Sequence, residues 1–356
     1  MRVSCYLIIL LKYPVVKMMK MNKKAEYPID FVITWVDESD PVWRQDFEAH
    51  AKAEGRVIKD YKERYRDWGT LKYWFRGVEK FAPWVNKVYF VTYGHIPAWL
   101  NTGNPKLVII KHEEFIPKVY LPTFNSYTIE FSFYRIKSLS EHFVYFNDDM
   151  FIINSVKPDR FFYKGLPCDM GAQYILPPTD DMITSAVFRA VGLINVNFKK
   201  RESVRCNLSK WYNLKYPNES LFNLLFAKAS KFPHFKFNHL PLSLLKSTYQ
   251  EVWSHCEEDL EQTCLTKFRT YGNVTHWLVR YWQLASGSFH PYNYNKDGRY
   301  FSLRDENIPS VVDCIRNQKV SLICLNDYPT DRFDENKNSV VGAFEEILPE
   351  KSNFEL

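Results

Sequence analysis

The chain has 356 residues, 17% of them aromatic, which is length enough for one large α/β domain or two ordinary ones. Its net charge of +6 sits wholly in residues 1–24, where Arg2, Lys12, Lys17, Lys20, Lys23 and Lys24 stand without an acid; removing those six from 47 basic residues leaves 41, against 41 acidic ones. A balanced body argues against nucleic-acid binding, and seven scattered cysteines without a C-x-x-C pair argue against a zinc site or disulfide scaffold and fit a reducing compartment.

Residues 3–11 are apolar but too short to span a bilayer. Residues 1–25 therefore read as an extension, either a weak membrane-surface anchor with basic flanks or an over-extended start ahead of Met18, Met19 or Met21. Residues 29–36 predict a strand ending at Asp37 and a turn through Ser39-Asp40-Pro41. Residues 43–57 suit a helix, and Arg66-Asp67-Trp68 opens another, with Leu71, Trp74, Phe75 and Val78 at helical spacing and Pro83 as its stop. Strands follow at 87–92 and 107–111, then a loop with Pro117 and Pro122, a helix over 126–138, and a strand at 143–146. Beyond 160 the segment to 237 is basic, aromatic and broken by proline, which predicts an inserted helical region or lid. Residues 239–286 predict two or three helices with Leu244, Leu245, Val252, Trp253, Trp277, Leu278, Tyr281 and Trp282 as apolar positions. A last strand at 320–325 ends at Asn326-Asp327, and the acidic tail 336–356 is expected to pack loosely. The order β-α-β-β-α-β predicts an α/β fold, a mostly parallel Rossmann-like or GT-A-like sheet flanked by helices.

The most informative feature is Asn147-Asp148-Asp149 at the end of an apolar strand. Two adjacent carboxylates at that place repel each other and resist desolvation unless a cation compensates. Hard divalent cations prefer such ligands, and ligands of open α/β sheets collect at the carboxyl ends of strands. A plain turn is the alternative, since Asn-Asp-Asp is also good loop chemistry. Twelve glycines, no G-x-G-x-x-G, no P-loop, no H-E-x-x-H and no G-x-S-x-G weigh against nicotinamide, P-loop, zincin and serine-hydrolase chemistry.

Four stretches, FVITWVDESDPVW, residues 66–100 with LPTFNSYTIEFSFYRIKSLSEHFVYFNDDMFI, HLPLSLLKSTYQEVW with TKFRTYGNVTHWLVRYW, and CLND, resemble in this order the four regions of the Stealth family. These are capsular and exopolysaccharide phosphotransferases, similar to the animal enzyme that transfers N-acetylglucosamine-1-phosphate. The resemblance implies transfer of a hexose- or N-acetylhexosamine-1-phosphate from a UDP-sugar to a glycan hydroxyl, with release of UMP. It implies one catalytic domain over 26–335, with a nucleotide-sugar and metal half at 26–160, the insertion at 161–237, and a His/Arg half at 238–335. Catalytic roles fall on His239, Arg269, Asp149 and Glu130; Asp37, Asn147, Arg135, Lys200 and Asn326 are candidates for substrate. Mg²⁺ or Mn²⁺ would be held by Asp149, Asp148 and Asp327. A growing polysaccharide, lipid-linked in one version, would be the acceptor, which places the protein in the cytoplasm with peripheral attachment at the inner membrane face. Tyr127 stands where the family usually has a histidine, and the first region lacks the usual turn glycine. The competing readings are a metal-dependent GT-A glycosyltransferase releasing UDP and a non-catalytic carbohydrate-binding protein.

Overall fold

The structure is a computed structural model that describes residues 26–57, 66–237 and 239–356. The reading of residues 1–25 as an anchor or untranslated start lies outside the described residues.

Strict alternation builds the main sheet. In β1 (Ile29–Trp35), β2 (Val88–Thr92) and β4 (His142–Phe146), Phe31, Ile33, Val88, Phe90, Val144 and Phe146 enter one apolar core, while Val32, Tyr89, Val91, Phe143 and Tyr145 enter another. Strands buried on both faces lose the polar half of the pattern, which is why they read as continuous apolar runs. With β3 (Leu107–Lys111) they pair in parallel in the order β3-β2-β1-β4, and β8 (Leu242–Leu245) closes the β4 edge antiparallel. The fold is α/β around this mostly parallel sheet. Chain order runs outward from β1 to β3 and resumes on the other side with β4, so the β1/β4 junction is the switch point where a crevice opens.

A second sheet stands against that crevice. It has the order β10-β11-β5, with β10 (Gly298–Ser302) parallel to β11 (Leu322–Asn326), and β5 (Met150–Ile152) antiparallel to β11. α1 (Pro41–Ala53) follows the first strand, capped by Asp40, whose Oδ1 accepts from the Trp43 N–H at 2.7 Å. α2 (Leu71–Phe81) crosses β5 so closely that a Cβ on Gly77 would stand 2.5 Å from the Ile152 carbonyl, a spacing only glycine permits. Three short strands, β6 (Phe162–Tyr163), β7 (Leu166–Asp169) and β9 (His290–Pro291), form a third sheet that opens the inserted region.

Helices depart from expectation at three places. The helix expected over 126–138 ends early: α3 (Ser126–Phe131), capped by Asn125, tightens into a 3₁₀ turn at Phe133–Arg135. The inserted region is helical, with α4 (Met182–Asn197), α5 (Lys200–Cys206) and α6 (Pro217–Leu225), and Ala186, Val187, Ala190, Val191 and Ile194 of α4 are buried in the second core. Leu244 and Leu245 lie in β8, because a four-residue apolar run beside an open sheet edge gains a ladder; the helices α7 (Lys246–Leu265) and α8 (Trp277–Ser286) follow it. After α9 (Ile308–Arg316), the supposedly loose tail is α10 (Phe333–Ile347), with Val340, Ala343, Phe344, Leu348 and Phe354 buried. Asp334 and Glu335 in its first turn suit a helix N-terminus, and Arg76 grips Glu355 at 2.9 Å.

Candidate active site at the carboxyl end of the sheet

Asp149 leaves the end of β4 and is fixed by the second sheet, where its carbonyl accepts from the Leu325 N–H at 2.8 Å. Its Oδ2 accepts from the Cys324 thiol at 3.3 Å and lies 3.7 Å from His239 Nε2. Asn147 Nδ2 reaches the same Nε2 at 3.3 Å. Four side chains from three separated segments thus meet at one point of the crevice. The other oxygen, Oδ1, is buried and has no hydrogen-bond partner among the described residues. Asp148 beside it is exposed. Desolvation and then the charge of Asp149 push its carboxyl up to about 7.

A second cluster lies deeper. Glu130 on α3 is 3% exposed; its Oε2 lies 2.5 Å from His276 Nδ1 and its Oε1 accepts from Tyr145 OH at 3.0 Å. The His276 contact is a close ion pair whose N–H direction misses good hydrogen-bond geometry. Burial alone would raise the Glu130 carboxyl, but His276, with Arg269 behind it, outweighs that and holds it below its ordinary value. Arg269 donates to Ser126 Oγ and places its guanidinium 4.6 Å over the Tyr127 ring. Tyr127 therefore sits beneath Arg269. Trp277 bridges the clusters, its ring centroid 6.1 Å from that of His276 and 6.2 Å from that of His239.

Asp37 emerges from β1 on the same edge. Its N–H donates to His95 Nε2 at 2.9 Å, and its Oδ1 accepts from Ser39 N and Oγ. Three other candidates are engaged elsewhere. Both oxygens of Asp327 pair with Arg66, at 2.6 and 3.0 Å, so the structure brings Cys324, and not Asp327, to Asp149. Lys200 is buried, and its ammonium donates to the carbonyls of Phe226 and Ala229 behind α6, a capping duty. Arg135 lies over the rings of Tyr134 and Trp253 at 4.9 and 5.4 Å. Asn326 ends β11, its carbonyl accepting from Leu303 N and its amide donating to the Asp327 carbonyl. Sequence reasoning missed His276, His95, Tyr145 and Cys324. Each lies in or beside a stretch that already drew notice, but no spacing rule separates a buried histidine or tyrosine with a carboxylate partner from a core residue.

Asp149, His239 and Cys324 bring one ligand atom each within 4.8 Å of one another. Without a metal, burial and then the Asp149 charge push the Cys324 thiol well above its usual range, and it donates to Asp149 Oδ2. The buried Asp149 Oδ1, without a hydrogen-bond partner among the described residues, adds a carboxylate oxygen of the kind a hard divalent cation prefers.

The profile of Stealth protein CR1, conserved region 1, matches residues 27–49, and that of Stealth protein CR2, conserved region 2, matches residues 64–168. The chain is similar to the capsular polysaccharide phosphotransferase WcwK of Streptococcus pneumoniae, 43% identical over 333 residues that cover 92% of this chain and 98% of the relative. It is similar also to the receptor polysaccharide phosphotransferase WefC of Streptococcus gordonii, 40% identical over 92% of this chain and 99% of that one. Among solved structures, the galactosyltransferase LgtC aligns over 87% of this chain and 95% of its own at 12% identity and a TM-score of 0.39.

Proposed function

The chain belongs to the Stealth family and is a transferase, and from that premise we propose that it moves a sugar-1-phosphate from a UDP-sugar to a hydroxyl of a growing capsular or exopolysaccharide. The observation that carries the reading is the unpartnered, buried Oδ1 of Asp149 at the switch point of the sheet, beside a histidine that can take a proton. A Mg²⁺ or Mn²⁺ ion held by Asp149 and Asp148 supplies charge neutralisation for the donor diphosphate. The acceptor oxygen attacks the phosphorus bonded to the sugar, a P–O bond to it forms, and the bond between the two phosphates breaks with UMP leaving.

The chain's own residues then divide the work. The Asn147 amide, 3.3 Å away, marks Nε2 as the acceptor nitrogen of His239; the acceptor hydroxyl replaces that amide at Nε2 and passes its proton there. The resulting imidazolium lies 3.7 Å from Asp149 Oδ2, which offsets its charge. Arg269, fixed by Ser126 and stacked on Tyr127, offers two donors to phosphate oxygens as negative charge shifts to the leaving group. Glu130 and His276 hold α3 and α8 together beneath that arginine. Asp37 and Asn326, on strand ends of the two sheets, face the nucleotide and sugar parts of the donor.

Acceptor-dependent release of nucleotide tests the reading. Incubation with UDP-N-acetylhexosamines, Mg²⁺ and short glycan acceptors is expected to yield UMP; UDP in its place would make the enzyme a glycosyltransferase, and sugar affinity without either product would leave only a binding protein.

A further inference from the structure

The helix Pro217–Leu225 in the inserted region is built inside out. In an ordinary surface helix the leucines face the core and the amides face water. Here the inward residue is Asn223, fully buried, whose Oδ1 accepts from Gln173 N at 2.7 Å and whose Nδ2 donates to the carbonyls of Gly171 and Trp211 at 2.8 and 2.7 Å. Leu221, Leu224 and Leu225, spaced to share the opposite face, are 68%, 54% and 71% exposed. The apolar surface continues beyond them. Phe222 places its ring 5.7 Å from that of exposed Tyr174 and 5.4 Å from that of Phe226, and Leu214 in the preceding loop is 94% exposed. Three hydrogen bonds from one buried amide fix this orientation, so the outward leucines are held there by design of the packing and not by a loose helix.

The charge of the stretch 199–231 that carries this helix is one-sided. Lys199, Arg201, Arg205, Lys215, Lys228 and Lys231 are exposed between residues 199 and 231. The same stretch has two acids, Glu202 and Glu219, and both are paired, with Lys199 at 3.7 Å and Lys236 at 2.8 Å. Arg201 and Lys231 donate to backbone carbonyls, which leaves their charge uncompensated. With Lys199 set aside as the partner of Glu202, leucine and aromatic side chains beside Arg201, Arg205, Lys215, Lys228 and Lys231 complement one surface well: an anionic bilayer, which takes the apolar groups into its headgroup boundary and the cations onto its phosphates. A second copy of the chain is the weaker match, because a two-fold contact through this patch would set one ring of cations against another.

We propose that the face of the helix Pro217–Leu225, with Leu214, Tyr174 and the surrounding lysines and arginines, docks the protein peripherally onto an anionic phospholipid membrane. The inference does not depend on the reaction assigned to the cleft. The two are nonetheless joined in the chain, for Glu219 of this helix holds Lys236, three residues before His239. No helix among the described residues is long and apolar enough to cross a bilayer, so the surface lies on the membrane and does not enter it as a span.

The test is flotation of the full chain with phosphatidylcholine vesicles that contain or lack phosphatidylglycerol. Wild-type protein is expected to float with the anionic vesicles only, and to be released by high salt. Leu221→Ser/Leu224→Ser/Leu225→Ser is expected to lower partitioning at least about tenfold, since three partly inserted leucines are lost. Arg205→Glu/Lys228→Glu, which keeps the apolar face, is expected to lower it roughly tenfold as well. Residues 1–25 are present in every variant, so differences among them report this surface. Near-UV circular dichroism and UMP release with a soluble acceptor check that each variant is folded. Retained flotation in both folded variants overturns the proposal. So does a wild type that ignores anionic vesicles but forms a dimer that the triple leucine variant dissolves, which would make the patch a contact between copies.

Discussion

The Glu130 and Asp149 clusters are made of the same residue types, a carboxylate beside a histidine at the same end of the sheet, yet one is closed and the other open. Glu130 Oε1 accepts from Tyr145 and Oε2 is covered by His276 Nδ1 at 2.5 Å, so protein atoms fill the space at both oxygens and the ionised carboxylate is favoured by its surroundings. Asp149 has a weak thiol donor and a distant histidine on one oxygen and nothing on the other. Satisfied buried charge fixes geometry; unsatisfied charge at a crevice is a demand for a ligand. On this account the first cluster is framework and the second is chemistry.

Substitutions that separate activity from stability break or sharpen that contrast. Asp149→Asn is expected to reduce UMP release by roughly a thousandfold or more, as loss of the charge that orders a diphosphate does, while the melting temperature stays close to wild type. His239→Ala is expected to lower kcat by about 10²–10⁴ with a smaller effect on KM, measured with saturating donor. Glu130→Gln should do the reverse in kind. It leaves His276 facing a neutral amide in a buried place, so stability falls by roughly 3 kcal/mol in urea unfolding, and activity falls with the folded geometry of Arg269. A stable but inactive Glu130→Gln would move Glu130 from the framework into the chemistry.

Two smaller effects concern the scaffold. Burial, with the charge of His95 next, pushes His112 down to about 3, and burial, then the charge of Arg280, pushes His234 down to about 4. Both folded values lie below the unfolded value near 6.5, so the unfolded chain binds the extra protons and stability falls as pH drops from about 6.5 toward 3. Asp148, with its carboxyl raised to about 7, takes up a proton in the folded state and opposes this trend, so urea midpoints are compared in Asp148→Asn: they are expected to decline within the window, and a midpoint that rises there on acidification would contradict the buried neutral state. Lys200→Met is expected to cost only about 1–2 kcal/mol, through the carbonyls of Phe226 and Ala229, and to leave KM for the donor unchanged. A raised KM would restore Lys200 as a phosphate ligand.

These contrasts also show what a sequence can disclose. Asn147-Asp148-Asp149 was legible because its members are neighbours in the chain and end a strand whose apolar run could be read directly. The parallel sheet was legible for the same reason, since β1, β2 and β4 carry their own pattern. The pairing of Glu130 with His276 joins residues 146 positions apart and leaves no local trace. The second sheet rests on the three residues of β5 and on a charged, aromatic β10, too short or too mixed to show a period. Without that sheet, Cys324 was one more scattered thiol and Asp327 the natural third metal ligand; with it, Cys324 meets Asp149 and Asp327 belongs to Arg66. The cations Arg135 and Lys200 were chosen by charge alone, and both prove to be engaged by rings and carbonyls.

The central claim is that a phosphoryl group travels with the sugar. A UDP-sugar labelled with ³²P in the phosphate attached to the sugar tests this most directly. The account predicts that label enters the glycan in an acceptor-dependent manner, and that Asp149→Asn abolishes the transfer. Label that stays in UDP while unlabelled sugar enters the glycan would contradict it.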